Sequence, residues 1–108
     1  MRWAGINAGA LPISFVAADA EAWLAEPREG FDTLLVDPPR AGLPPRVIQS
    51  ILGQSFRHIV YVSCHPARGL EDLAVLSGAY RPRSIRLFDQ FPHTPHVEMI
   101  AEMEKREE

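Results

Sequence analysis

This chain reads as one α/β domain, a mostly parallel sheet that finishes in an antiparallel hairpin. Two continuous apolar runs, Thr33 to Val36 and His58 to Val62, each lead through a proline-bearing loop into a segment with helical spacing. After them, Arg83 to Phe88 alternates charged and apolar residues, and Val97 to Met103 can return beside it as the second arm of a hairpin. With 108 residues, 46% hydrophobic and 23% charged, the composition suits a single globular domain with a modest core.

The elements follow in order. Ile13 to Ala17 is a short apolar run ending near Asp19, which suits a first strand. Ala20, Trp23 and Leu24 then repeat at i, i+3 and i+4, with Asp19 as N-cap, and Pro27 to Gly30 breaks that helix. The strand Thr33 to Val36 stops at Asp37-Pro38-Pro39, because proline cannot donate to a sheet ladder. Pro44 and Pro45 suit the first turn of a helix that carries Val47, Ile48, Ile51 and Leu52 on one face and ends at Gly53. His58 to Val62 lacks clean alternation, the pattern of a strand covered on both faces. Pro66 and Ala67 open a further helix bearing Leu70, Leu73, Ala74 and Val75, closed near Gly78.

The resulting order, β-α-β-α-β-α-β-β, shows no repeat, no low-complexity stretch and no internal boundary, so residues 1–108 are read as one domain. No Gly-x-Gly loop follows an early strand, and the usual cofactor-cradling turn is therefore missing. That points to the second half of a larger nucleotide-cofactor domain, with an exposed sheet edge.

A single cysteine cannot make an internal disulfide, so nothing demands an oxidising compartment. The first ten residues lack the pattern of a signal peptide, and no apolar stretch approaches the ~20 residues of a membrane span. The expected location is the cytoplasm, away from membranes. A net charge of −3 speaks against an autonomous nucleic-acid-binding domain, although Arg40, Arg46, Arg57 and Arg68 gather around the two central motifs.

The chemistry centres on Ser63-Cys64-His65-Pro66, directly after an apolar strand and before a helix. In open α/β folds ligands bind at that edge, and the positive end of a helix favours thiolate, the nucleophilic form of cysteine. The competing reading of Cys64 is a small buried hydrophobe. His65 makes a poor base for it, because adjacent side chains diverge. Asp37-Pro38-Pro39-Arg40 holds a carboxylate at the same edge, or simply caps its own turn. It is similar to an amino-methyltransferase tetrapeptide, but that one ends in an aromatic where this chain has Arg40. His93, His96 and Glu98 form a string whose spacing fits neither a helical zinc motif nor a zinc finger, so no metal is expected. Glu98 is either an exposed strand residue or, if held near the thiol, a general base.

Three long segments in register carry a resemblance: Leu35-Val36-Asp37-Pro38-Pro39-Arg40-Ala41-Gly42-Leu43, then Ile59-Val60-Tyr61-Val62-Ser63-Cys64-His65-Pro66-Ala67, then Leu87-Phe88-Asp89-Gln90-Phe91-Pro92-His93-Thr94-Pro95-His96-Val97-Glu98. Together they resemble the RNA uracil-C5 methyltransferases, which make 5-methyluridine with S-adenosylmethionine. The resemblance runs from about Asn7 to Met103. It implies the second half of a Rossmann-like class I methyltransferase sheet, with the RNA-binding domain and the first cofactor-binding strands absent. It also implies that Cys64 is the nucleophile, Glu98 the base that removes the C5 proton, and Asp37 and Asp19 cofactor-site residues. His65 departs from the family's usual asparagine, which bears on the hydrogen bonding of the loop. The implied partner is RNA, with ribosomal RNA slightly ahead of tRNA because Phe91-Pro92-His93-Thr94 is closer to the ribosomal branch. A non-catalytic α/β remnant that binds RNA or a protein partner is the alternative.

Overall fold

A computed structural model of the chain describes residues 20–89 and 96–107. They form α1 (Ala20–Leu24), β1 (Thr33–Val36), α2 (Pro45–Gly53), β2 (His58–Ser63), α3 (Pro66–Leu76), β3 (Tyr80–Phe88) and β4 (Glu98–Lys105). The expected strand at Ile13 to Ala17 and the Asp19 cap lie outside the described residues.

Local chemistry accounts for the helix boundaries. Proline stands at the first helical position of both α2 and α3, where its missing N–H has no partner to lose. Gln54 fastens the far end of α2 to α1, its Nε2 donating to the Leu24 and Glu26 carbonyls at 2.8 and 2.7 Å. Its Oε1 accepts from the Arg28 N–H at 2.9 Å.

The strand order is β1-β2-β4-β3. Only β1 and β2 pair in parallel, with Leu34 beside Ile59 and Val36 beside Tyr61. β4 runs antiparallel to both β2 and β3, so the described sheet is mixed rather than mostly parallel. The physical reason is the return path of the hairpin. β4 inserts between β2 and β3 instead of continuing past β3, which turns both of its pairings antiparallel.

The helices cover one face of this sheet. Ile59, Tyr61 and Ser63 on β2 pair with Met103, Ala101 and Met99 on β4, and all six are buried on the face against which α2 and α3 pack. Leu24, Val47, Ile48, Ile51, Leu73 and Leu76 close the core from the helical side. Buried Tyr80 joins it from the start of β3, donating its hydroxyl to the Phe56 carbonyl at 2.8 Å. Among the described residues burial along β2 alternates strictly, so the cover expected on both faces is present on one. Val60 and Val62 are half-buried on the other face, and Leu35 is 66% exposed. The stripe of α3 also differs from expectation: Leu70 and Val75 are exposed, while Gly69, Asp72, Leu73 and Leu76 face inward. Spacings of three and four residues join Leu70 to Leu73 and Ala74 as well as Gly69 to Asp72 and Leu73, and the position of the sheet selects the second stripe.

Ile51 is wholly buried at the centre of the core. Ile51→Ala is expected to cost about 2–5 kcal/mol, read as a lowered midpoint in urea with the slope unchanged.

Candidate functional site

Three chain segments end at one edge of the sheet. Asp37 is the first residue past β1, and Cys64 is the first past β2. Ser63 pairs with Met99, so Cys64 and Glu98 are the next residues outward on the two strands of the same antiparallel ladder. Phe88, the last residue of β3, pairs with Glu98 from the other side. Asp37 and Cys64 are exposed and Glu98 is half-buried. Buried Pro38 anchors the backbone beside the Asp37 carboxylate. The structure thus brings three of the four expected site residues to one edge, and the fourth, Asp19, lies outside the described residues.

The loop that presents Cys64 is held by its neighbours. Ser63 Oγ accepts from the His65 N–H and donates to the His65 carbonyl, both at 3.0 Å, closing a tight turn with Cys64 at its exposed apex. His65 is the N-cap of α3, its Nδ1 accepting from the Arg68 N–H at 3.2 Å. His65 Nδ1 thus supplies the cap acceptor that an asparagine side chain would equally supply. Behind the turn, α3 approaches the ladder closely at Gly69. A Cβ there would stand 2.6 Å from Met99 Cε and 3.1 Å from Ser63 Oγ.

Several supporting residues carry no motif signal. Asp72 is buried on α3, and its Oδ2 accepts from the Tyr61 hydroxyl at 2.5 Å and the Leu43 N–H at 2.8 Å. Burial, and then the hydrogen bond to Asp72 and its charge, hold the Tyr61 phenol above its ordinary value of 10.0, with Arg68 pulling the other way. Burial likewise raises the Tyr80 phenol. The one available signal for Asp72 was its spacing, since an acidic residue one position before Leu73 and four before Leu76 shares their stripe.

Of the arginines grouped by sequence, Arg46 reaches Glu21 at 3.6 Å and Arg68 binds within this supporting network. His93 lies outside the described residues, and among the described residues no three His, Cys, Asp or Glu side chains are grouped to hold a metal. No described helix is long and apolar enough to cross a membrane.

A family model described as tRNA (Uracil-5-)-methyltransferase matches residues 27–106. A tRNA (uracil(54)-C(5))-methyltransferase of Pyrococcus abyssi is 47% identical over 89 residues, covering 79% of this chain and 22% of that protein. An RNA methyltransferase of Nitratidesulfovibrio vulgaris is 40% identical over 106 residues, covering 93% of this chain and 23% of its own length. The crystal structure of the Pyrococcus abyssi tRNA (uracil-54, C5)-methyltransferase, in complex with S-adenosyl-L-homocysteine, superposes with a TM-score of 0.77 at 38% identity. That match covers 95% of this chain and 25% of the other. The chain spans between a fifth and a quarter of the length of these relatives.

Two outcomes are expected. His65→Asn keeps a cap acceptor and holds stability within a few tenths of a kcal/mol, whereas His65→Ala loses about 0.5–2 kcal/mol in chemical denaturation. Tyr61 and Tyr80 keep their protons more firmly in the folded state than in the unfolded chain. Their contribution is therefore whole below pH 10 and is lost as pH rises further, and Tyr61→Phe flattens that alkaline decline.

Proposed function

This chain belongs to the tRNA (uracil-5-)-methyltransferase family, and we propose that it forms the part of an RNA uracil-C5 methyltransferase that carries the nucleophile and the base. The observation that carries this reading is the ladder end, where Cys64 and Glu98 follow the Ser63–Met99 pair on adjacent strands. Asp37 stands at the same edge and fits the polar rim of a cofactor or base site: an exposed carboxylate, able to accept hydrogen bonds, on a backbone stiffened by two prolines. Asp19 is the second residue proposed for the cofactor. S-adenosylmethionine, when bound, would supply an electrophilic methyl group from its sulfonium, the sulfur keeping the bonding pair and leaving as the neutral thioether S-adenosylhomocysteine.

Uracil C5 is too weak a nucleophile to take that methyl unaided. Addition of the Cys64 thiolate to C6 forms a sulfur–carbon bond and moves the pyrimidine electron pair into an enolate with density at C5. After C5 has gained the methyl, Glu98 removes its remaining proton, the C5–C6 double bond reforms and the sulfur–carbon bond breaks. Cys64 leaves as thiolate and Glu98 holds the proton, so the residues return to their starting state once that proton passes to water. The base must be unstacked to meet a thiol at the apex of a turn.

On the RNA itself, Phe91-Pro92-His93-Thr94 favours a 23S ribosomal target, while the Pyrococcus abyssi relative is named for tRNA. Structured RNA is recognised largely by loop shape and by contacts beyond a catalytic pocket. A second reading, a non-catalytic α/β piece that binds RNA or a protein partner, is favoured by Leu35, 66% exposed on the sheet face away from the helices.

In a complete relative carrying residues 20–107 of this chain, Cys64→Ser is expected to abolish methylation and the covalent adduct with 5-fluorouracil RNA. Retained turnover would remove Cys64 from its role. Glu98→Gln is expected to accumulate the methylated RNA adduct, seen as a band resistant to denaturing gel electrophoresis, and its absence would count against Glu98. Offering 23S and tRNA fragments side by side decides the RNA class. Titrating the isolated chain with S-adenosylmethionine separates the readings, since micromolar binding contradicts a non-catalytic piece.

A further inference from the structure

Asp72 is 2% exposed and lies outside the three motifs, yet three chain segments meet at its carboxylate. Oδ2 takes hydrogen bonds from the Leu43 N–H and the Tyr61 hydroxyl, while Oδ1 faces Arg68 Nη2 at 3.5 Å. Arg68 in turn donates from Nε to the Ala41 carbonyl at 2.8 Å and from Nη1 to Glu71 at 2.7 Å. Between the two fastened residues, Gly42 has a φ of 81°, and its N–H closes onto the Pro39 carbonyl at 2.8 Å. A Cβ at Gly42 would stand 2.5 Å from Arg68 Nε and 2.8 Å from Asp72 Oδ2, so the loop can lie this close only without a side chain there.

Packing alone does not call for a carboxylate here, because an apolar side chain fills such a site without the cost of burying charge. What the carboxylate adds is direction. It captures one particular backbone N–H, and the arginine beside it captures a carbonyl two residues earlier. Both captured groups belong to the loop that begins with Asp37. Both capturing side chains belong to the helix that begins two residues after Cys64.

We propose that Asp72 and Arg68 are positioning residues which set the separation of the Asp37 carboxylate from the Cys64 thiol by clamping the loop of residues 37–43 onto α3. What those two groups do chemically rests on the functional reading above. The clamp itself is a property of this chain and is testable without activity.

Tyr61 supplies the comparison, since Tyr61→Phe removes a hydrogen bond to the same carboxylate while leaving both loop anchors in place. In the 108-residue chain, amide exchange at Leu43 is read against exchange at Ile59 in the core. Asp72→Leu and Arg68→Met are expected to speed Leu43 relative to Ile59 by about tenfold or more, the loss of one charge-assisted hydrogen bond, and Tyr61→Phe to change the ratio less than about threefold. Arg68→Met keeps the informative arm available if Asp72→Leu does not fold. In the complete relative carrying residues 20–107, Arg68→Met is expected to lower kcat by roughly 100-fold with little change in KM for RNA, with partial recovery in Arg68→Lys. Tyr61→Phe is expected to lower the melting temperature without a matching loss of kcat. An unchanged Leu43-to-Ile59 ratio in Arg68→Met overturns the clamp. Losses of kcat that simply track melting temperature across Arg68→Met and Tyr61→Phe overturn the positioning role. If the relative carrying the unaltered segment does not methylate RNA, the functional reading fails, and the exchange ratio still decides the clamp.

Discussion

The candidate site depends on the antiparallel pairing of β2 with β4. Because β4 enters the sheet between β2 and β3, its first residue, Glu98, arrives beside the strand end that carries Cys64. A hairpin that continued the sheet past β3 would have put β3 between them. The pairing is held by the core itself: Ile59 against Met103, Tyr61 against Ala101 and Ser63 against Met99, all buried under the helices. A register slip by one residue would carry those buried side chains to the opposite face, which makes the register at Cys64 and Glu98 a consequence of core packing.

Around that ladder the loops are held by polar groups rather than by bulk. The Ser63 hydroxyl closes the turn below Cys64, and the His65 ring caps α3. Gly69 lets α3 come close behind them, where any side chain would press on Met99. On the neighbouring segment, Leu43 and Ala41 are tied to α3 through Asp72 and Arg68. Cys64 and Asp37 remain exposed because the backbone around them, not their own side chains, carries the anchoring.

Much of this was legible in the residues. Prolines at 38, 39, 44, 45 and 66 mark the ends of strands and starts of helices, because a missing N–H has few places to stand. The apolar runs of β1 and β2 gave their strands, and the motifs after them gave the edge where Asp37 and Cys64 emerge. Sheet order was not legible, since alternation in β3 and β4 announces a hairpin but not the side on which it joins. The one-sided cover of β2 was hidden because Val60 and Val62 are as apolar as Ile59 and Tyr61. Leu70 and Val75 misdirected the reading of α3, whose inward stripe includes an acidic residue that only Tyr61, Leu43 and Arg68 make tolerable.

The most direct measurement is cross-strand trapping of the ladder end. Mild oxidation of a Glu98→Cys variant, followed by mass analysis of the intact chain and of its peptides, reports whether the new thiol meets Cys64. Neighbouring positions at the end of an antiparallel ladder lie within the Cα separation that a disulfide spans, about 4.4–6.8 Å. The predicted result is an intramolecular disulfide between positions 64 and 98, formed at low protein concentration, with a Glu102→Cys control left reduced. Thiols that stay reduced in Glu98→Cys, or that join only between molecules, would contradict a shared site for the nucleophile and the base.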